Sequence, residues 1–171
     1  MCLETGKQPF INKKEMMHDI TRRKVLKGLL ISLLPIDLAM ASVNQGMIEI
    51  WKSPSCGCCH DWIKHMTNNG FVITKVHDDG NDLARKRLGI DIQYGSCHTA
   101  LINGYTFEGH VPARDIVRVL KERPHIAGLA VPGMPIGSPG MDGPEYKGKK
   151  DVYDVLAIGK NGQAKVYHHY S

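Results

Sequence analysis

From Met47 to Arg123 the period of the apolar residues switches repeatedly between two and 3.6, with turn residues at each switch. Met47-Ile48-Glu49-Ile50-Trp51 alternates and predicts a strand, which Ser53-Pro54-Ser55 breaks. Cys59 to Asn69 predicts a helix with Trp62, Ile63 and Met66 on one face and Gly70 as its stop. Phe71 to Val76 predicts a second strand. Asp78-Asp79-Gly80-Asn81 is turn and cap chemistry before a short helix, Asp82 to Leu88, closed by Gly89. Cys97 to Ile102 and Tyr105 to His110 read as the third and fourth strands, joined by the hairpin pair Asn103-Gly104. Pro112 suits the first turn of a helix running to Arg123, with Ile116, Val117, Val119 and Leu120 inward.

A helix between the first two strands favours a parallel crossover, whereas the Asn-Gly turn requires an antiparallel pair. The predicted class is therefore α/β: a thioredoxin-like, mixed four-stranded sheet flanked by helices. Pro124 to Gly148 holds five of the nine prolines and six of the eighteen glycines, and is expected to be one long loop. Loops of that length are usually functional, and the strands after it should tie it across the domain. Val152 to Ile158 and Ala164 to Tyr170 predict a closing β-hairpin. The expected division is a leader over 1–41, a thioredoxin-like region over 42–123, and a loop-and-hairpin extension of the same domain over 124–171.

The leader rests on Thr21-Arg22-Arg23-Lys24-Val25-Leu26-Lys27, an apolar run to Leu38, and the A-x-A site Ala39-Met40-Ala41. It follows the twin-arginine pattern, with an ordinary Sec signal as the alternative; both predict export to the periplasm. The apolar run is too short and too interrupted to span a bilayer. Met16 or Met17 is a candidate start in place of Met1. Of the net charge of +5, residues 1–41 carry 7 Lys/Arg and 4 Asp/Glu, so the remainder is nearly balanced. With aromatics at only 6%, this excludes a nucleic-acid surface. No stable membrane span is expected after cleavage, and the mature chain is expected to be a monomer.

Cysteine usage carries the chemistry. Five cysteines are too few for a disulfide scaffold, and Cys56, Cys58 and Cys59 are too clustered for ordinary bridges. Cys56 and Cys59 have C-x-x-C spacing at a strand-to-helix junction, where the helix N-terminus favours thiolate. Thiolate attacks disulfides and also binds metals, so both chemistries are open. Cys58 favours metal, because a third thiol invites mispairing. In the sequence Ser96-Cys97-His98-Thr99, His98 stands where thioredoxins carry a substrate-facing proline, and Cys97 precedes it. Met134 and Met141 lie in the Gly/Pro-rich segment, and His110 ends the fourth strand. Thiolates and thioethers together are soft ligands that select Cu(I) over zinc, magnesium or calcium. The candidate ligands are Cys56, Cys58, Cys59, Cys97, Met134, Met141, His98 and His110. His168-His169 reads as a solvated pair.

Four stretches together resemble the CopG family of bacterial copper-resistance proteins. They are Cys56-Gly57-Cys58-Cys59 with Trp62; Ser96-Cys97-His98-Thr99-Ala100; Glu108-Gly109-His110-Val111-Pro112-Ala113; and Gly128 to Pro135 followed by Gly137 to Met141. The resemblance implies a thioredoxin-like domain with a C-terminal extension, periplasmic placement, and a multinuclear copper site beside the C-x-C-C motif. It also implies interconversion of Cu(I) and Cu(II), with copper ions and other periplasmic copper-handling proteins as partners. Two other functions stay open: a thiol–disulfide oxidoreductase using Cys56 and Cys59, and a copper chaperone without redox chemistry.

Overall fold

The computed structural model describes residues 44–171. The leader, with Arg22-Arg23 and its cleavage site, lies outside them. Strand β1 (Gly46–Lys52) is followed by helix α1 (Gly57–Asn68), strand β2 (Phe71–His77) and helix α2 (Asp82–Arg87). Strands β3 (His98–Ile102) and β4 (Tyr105–Glu108), helix α3 (Ala113–Glu122), and strands β5 (Ile126–Ala130), β6 (Tyr153–Gly159) and β7 (Ala164–Tyr170) complete the order.

All seven strands form one sheet in the order β2-β1-β3-β4-β5-β6-β7. β1 pairs parallel with β2 and antiparallel with β3, and β3 pairs antiparallel with β4. The expected mixed four-strand arrangement is therefore present, but the sheet does not stop there. Ile126–Ala130, expected to be loop, is a strand parallel to β4 and antiparallel to β6. The helix that returns the chain from β4 to β5 is α3. The predicted hairpin, β6-β7, thus extends the central sheet through β5.

Gly128 makes this pairing possible. A Cβ at that position would run into the carbonyl of Thr106 on β4. The glycine and proline content of Pro124–Gly148 obscured a short apolar strand whose central residue has to be glycine.

The main core lies between the sheet and helices α1 and α3. Ile48 and Ile50 alternate inward from β1, and Cys59, Trp62 and Met66 form the buried face of α1. Phe107, Ile116, Val119 and Leu129 close the same cluster. Asn103 and Gly104 both take positive φ, 49° and 83°, as their hairpin role requires.

The cap reading of Asp78-Asp79 is corrected. Asn81 precedes α2, and Asp78 Oδ1 instead lies 2.6 Å from Nζ of Lys52, a buried lysine at the end of β1. Burying an ammonium group requires a charged partner, and that demand outcompetes the cap. His168 is also not simply solvated. Its Nδ1 lies 2.8 Å from Oδ1 of Asp115, a buried carboxylate in the first turn of α3. Among the described residues no helix is long and apolar enough to cross a membrane.

Candidate metal centre

The first turn of α1 carries Cys58 and Cys59, with Cys56 as the residue before the helix. Cys56 and Cys59 are joined by a disulfide, whereas Cys58 and Cys97 are free. Cys97 comes from the turn before β3, and its Sγ lies 3.5 Å from Cys59 Sγ and 3.8 Å from Cys58 Sγ. Cys58 Sγ is in turn 3.5 Å from Cys56 Sγ. The four sulfurs thus close a ring, each within reach of the next.

Cys97 also faces two imidazoles. His98 Nδ1 is 3.3 Å from its sulfur and His110 Nε2 is 3.1 Å away. His110 donates from Nδ1 to the carbonyl of Pro139 at 2.8 Å, which leaves Nε2 as the lone-pair nitrogen aimed at Cys97. A second partner that fixes tautomer and ring orientation in this way is typical of a metal-ligating histidine. His98 is fully buried against Trp62, with ring centroids 4.5 Å apart, and its Nε2 has no hydrogen-bond partner. An unpartnered buried polar atom costs about 1–3 kcal/mol. Such a group calls for a functional explanation.

Met134 adds a thioether at the exposed edge. Its Sδ lies 4.0 Å from Cys58 Sγ, and the side chain is 51% exposed. Met141 sits differently: it is only 9% exposed, and its Sδ accepts a hydrogen bond from the Tyr146 hydroxyl at 3.4 Å. The structure therefore joins the cysteines, His98, His110 and Met134 in one chain of contacts, and Met141 stands apart from it.

The segment carrying Met134, Pro139 and Met141 is tied down at both ends. Gly133 N–H donates to Gly95 O at 3.1 Å, and Ile136 and Asp151 exchange bonds at 2.8 Å just before β6. Gly140 packs against α1, where a Cβ would lie 2.7 Å from both Cys58 O and Trp62 N. Its φ of +86° also favours glycine. Trp62 in turn donates from Nε1 to Val111 O at 2.9 Å, binding α1 to the segment that follows His110.

Burial governs the electrostatics. Together with the neighbouring Cys58 it pushes the Cys97 thiol up to about 12, burial being the larger cause. The helix-terminus argument for thiolate does not reach Cys97, which lies on no helix. Burial also lowers His98 well below its ordinary value, with nearby His110 adding to the shift. His110 is lowered for the same primary reason. Both imidazoles are thus held neutral, the form that donates a lone pair, and a metal taken up by Cys97 must displace a proton. Two groups of ligand atoms result, Cys56/Cys58/Cys59/Cys97 and Cys97/His98/His110, each with its atoms within 4.8 Å of one another. Soft sulfurs with borderline nitrogens fit copper better than a hard cation.

Sequence reasoning overlooked the groups that hold these ligands, namely Pro139 O and the buried carboxylate of Glu108. Glu108 stood within a quoted motif, and a lone acid in an otherwise apolar strand end was the available signal.

A family model described as "Protein of unknown function, DUF411" matches residues 94–141. No curated protein matches the chain. The solved structure "Copper resistance protein copG- Form 1" is 44% identical; the match covers 72% of this chain and 96% of that one, with a TM-score of 0.66. "Copper resistance protein copG- Form 2" is 43% identical over 74% of this chain and 98% of that one, with a TM-score of 0.68.

Proposed function

The chain belongs to the CopG copper-resistance family, and from that premise we propose that it is a periplasmic copper-binding protein. In this reading the Cys56–Cys59 disulfide is first opened to two thiols by an external two-electron reductant, and the reduced chain then holds more than one Cu(I) among Cys56, Cys58, Cys59, Cys97, His98, His110 and Met134. The observation that carries the reading is the place of Cys97, whose sulfur touches both the cysteine ring and the two imidazoles. A thiolate has lone pairs enough to bridge metals, so a shared sulfur supports a cluster with few ligands. The all-sulfur group suits Cu(I), and the mixed nitrogen–sulfur group also tolerates Cu(II).

We assign the protein a one-electron interconversion of Cu(I) and Cu(II). Each copper exchanges its electron with a separate redox protein, and the thiolates stay thiolates. The chain's own contribution is to fix the donors before copper arrives: the Pro139 carbonyl orients His110, and the fold half-buries Cys97. The test is an anaerobic copper titration of the reduced protein, followed by absorbance, electron paramagnetic resonance and X-ray absorption. More than one copper per chain with sulfur neighbours is expected. A single copper, or nitrogen and oxygen neighbours alone, overturns the reading.

The Cys56–Cys59 disulfide favours a second reading, thiol–disulfide exchange. Metal-free protein should reduce insulin only weakly, because His98, which stands where thioredoxins carry a substrate-facing proline, is fully buried. Robust turnover, undiminished in Cys58→Ser, would make exchange the primary activity.

A further inference from the structure

Cys97 lies outside any ladder. Residues 95–97 connect the 3₁₀ turn Ile92–Tyr94 to β3, so their backbone groups have no strand partner of their own. Buried backbone groups must nevertheless be satisfied. At Ser96 side chains do this. Ser96 N–H donates to Glu108 Oε1 at 2.7 Å, and Ser96 O accepts from Arg85 Nη2 at 2.9 Å and Asn81 Nδ2 at 3.2 Å.

Glu108 is the hub of this arrangement. It is wholly buried at the end of β4, opposite Thr99 and directly before Gly109-His110. Besides Ser96 N–H, its carboxylate accepts from Arg85 Nε at 2.7 Å and from the Thr99 hydroxyl at 2.6 Å. Ser96 and Thr99 flank Cys97-His98 on either side, so one carboxylate holds both ends of the segment that presents them. Two further contacts tie the neighbouring ligands to the same frame. Gly109 N–H donates to His98 O at 2.9 Å, and the Ser96 hydroxyl donates to Gly133 O beside Met134.

We propose that Glu108 is the positioning residue of the metal centre. Its carboxylate, steadied by Arg85 and Asn81, sets where Cys97 Sγ meets His110 and the helix cysteines. A buried ion pair used only for packing could have been placed anywhere along the sheet, yet this one bonds the backbone next to a ligand. The identity of the metal rests on the copper reading above, whereas the placement of Cys97 rests on geometry alone.

The test compares Glu108→Gln with Asp115→Asn, which alters another buried carboxylate, bonded to His168 and Tyr170 of β7. In reduced, metal-free protein, site-resolved iodoacetamide labelling should be faster at Cys97 in Glu108→Gln and unchanged at Cys58. Copper affinity should fall about 10- to 100-fold, the usual effect of losing an outer-shell partner. The sulfur-to-copper charge-transfer band should shift. Asp115→Asn should lower thermal stability and leave the labelling and the band as they are. If Glu108→Gln behaves like Asp115→Asn, the proposal is overturned. If Glu108→Gln does not fold, Asn81→Ala, which removes one donor to Ser96 O, is read by the same criteria. A native protein that binds no copper sinks the copper reading and leaves the labelling comparison to decide the positioning.

Discussion

Met134 and Met141 show how far a residue type can be read without its surroundings. Both were candidate thioether ligands, because neither a helical nor a strand period explained them. The structure gives one an open edge beside Cys58 and the other a packed site with a tyrosine donor. Leucine conserves methionine's volume but has no lone pair, so each replacement should cost stability less than about 1.5 kcal/mol. Met134→Leu should weaken copper binding in an anaerobic competition titration, and Met141→Leu should leave it near native. The reverse order would place Met141 in the site. The cysteines and histidines were legible because their chemistry is rare and their spacing unusual. Pro139 was not legible, since what it supplies is a carbonyl oxygen, which every residue has. Glu108 was hidden for a related reason: an acid's role depends on the donors the fold brings to it.

At the level of elements, β5 was the one hidden by its own solution. Ile126-Ala127-Gly128-Leu129-Ala130 is an unbroken apolar run, the mark of a buried strand, but its glycine and the flanking prolines read as loop. The other elements declared themselves through alternation, capping glycines and the Asn-Gly turn. The contact between the Gly140 turn and α1 can be tested directly. Gly140→Ala should cost about 1–3 kcal/mol by overpacking and should also weaken copper binding, because the adjacent Pro139 holds His110. Denaturant midpoints and copper titration check the two effects separately.

Helices α1 and α3 meet where the Ala113 N–H donates to His65 Nε2 at 3.1 Å. Burial holds His65 below its ordinary 6.5, partly offset by Asp142. The stability that neutral His65 contributes is present above pH 6.5 and is lost as pH falls through the lowered folded value. His65→Gln keeps an acceptor without a titration, so its thermal midpoint should fall less than the native one between pH 7.5 and 5.5. Parallel pH profiles for the two proteins would remove His65 from the contact's pH dependence.

For the whole molecule, the placement that matters is cellular. If Arg22-Arg23 is a twin-arginine signal, the chain crosses the membrane folded, with its thiols already arranged. Changing both arginines to lysine should then abolish periplasmic accumulation, measured by fractionation, while keeping the charge a Sec signal needs. Undiminished accumulation would assign the Sec route.

The ring of sulfurs also has a thermodynamic consequence. Cys56, Cys58 and Cys59 are neighbours in any conformation, whereas Cys97 lies 38 positions from Cys59 and Met134 lies 76 positions from Cys58. An unfolded chain therefore retains a fair copper ligand set of its own. Bound metal stabilises a fold only by the difference between its affinities for the folded and unfolded chains. Copper should accordingly raise the melting temperature far less than its tight binding would imply, and most of the gain should vanish in Cys97→Ser, which removes the one thiolate that only folding brings to the other three.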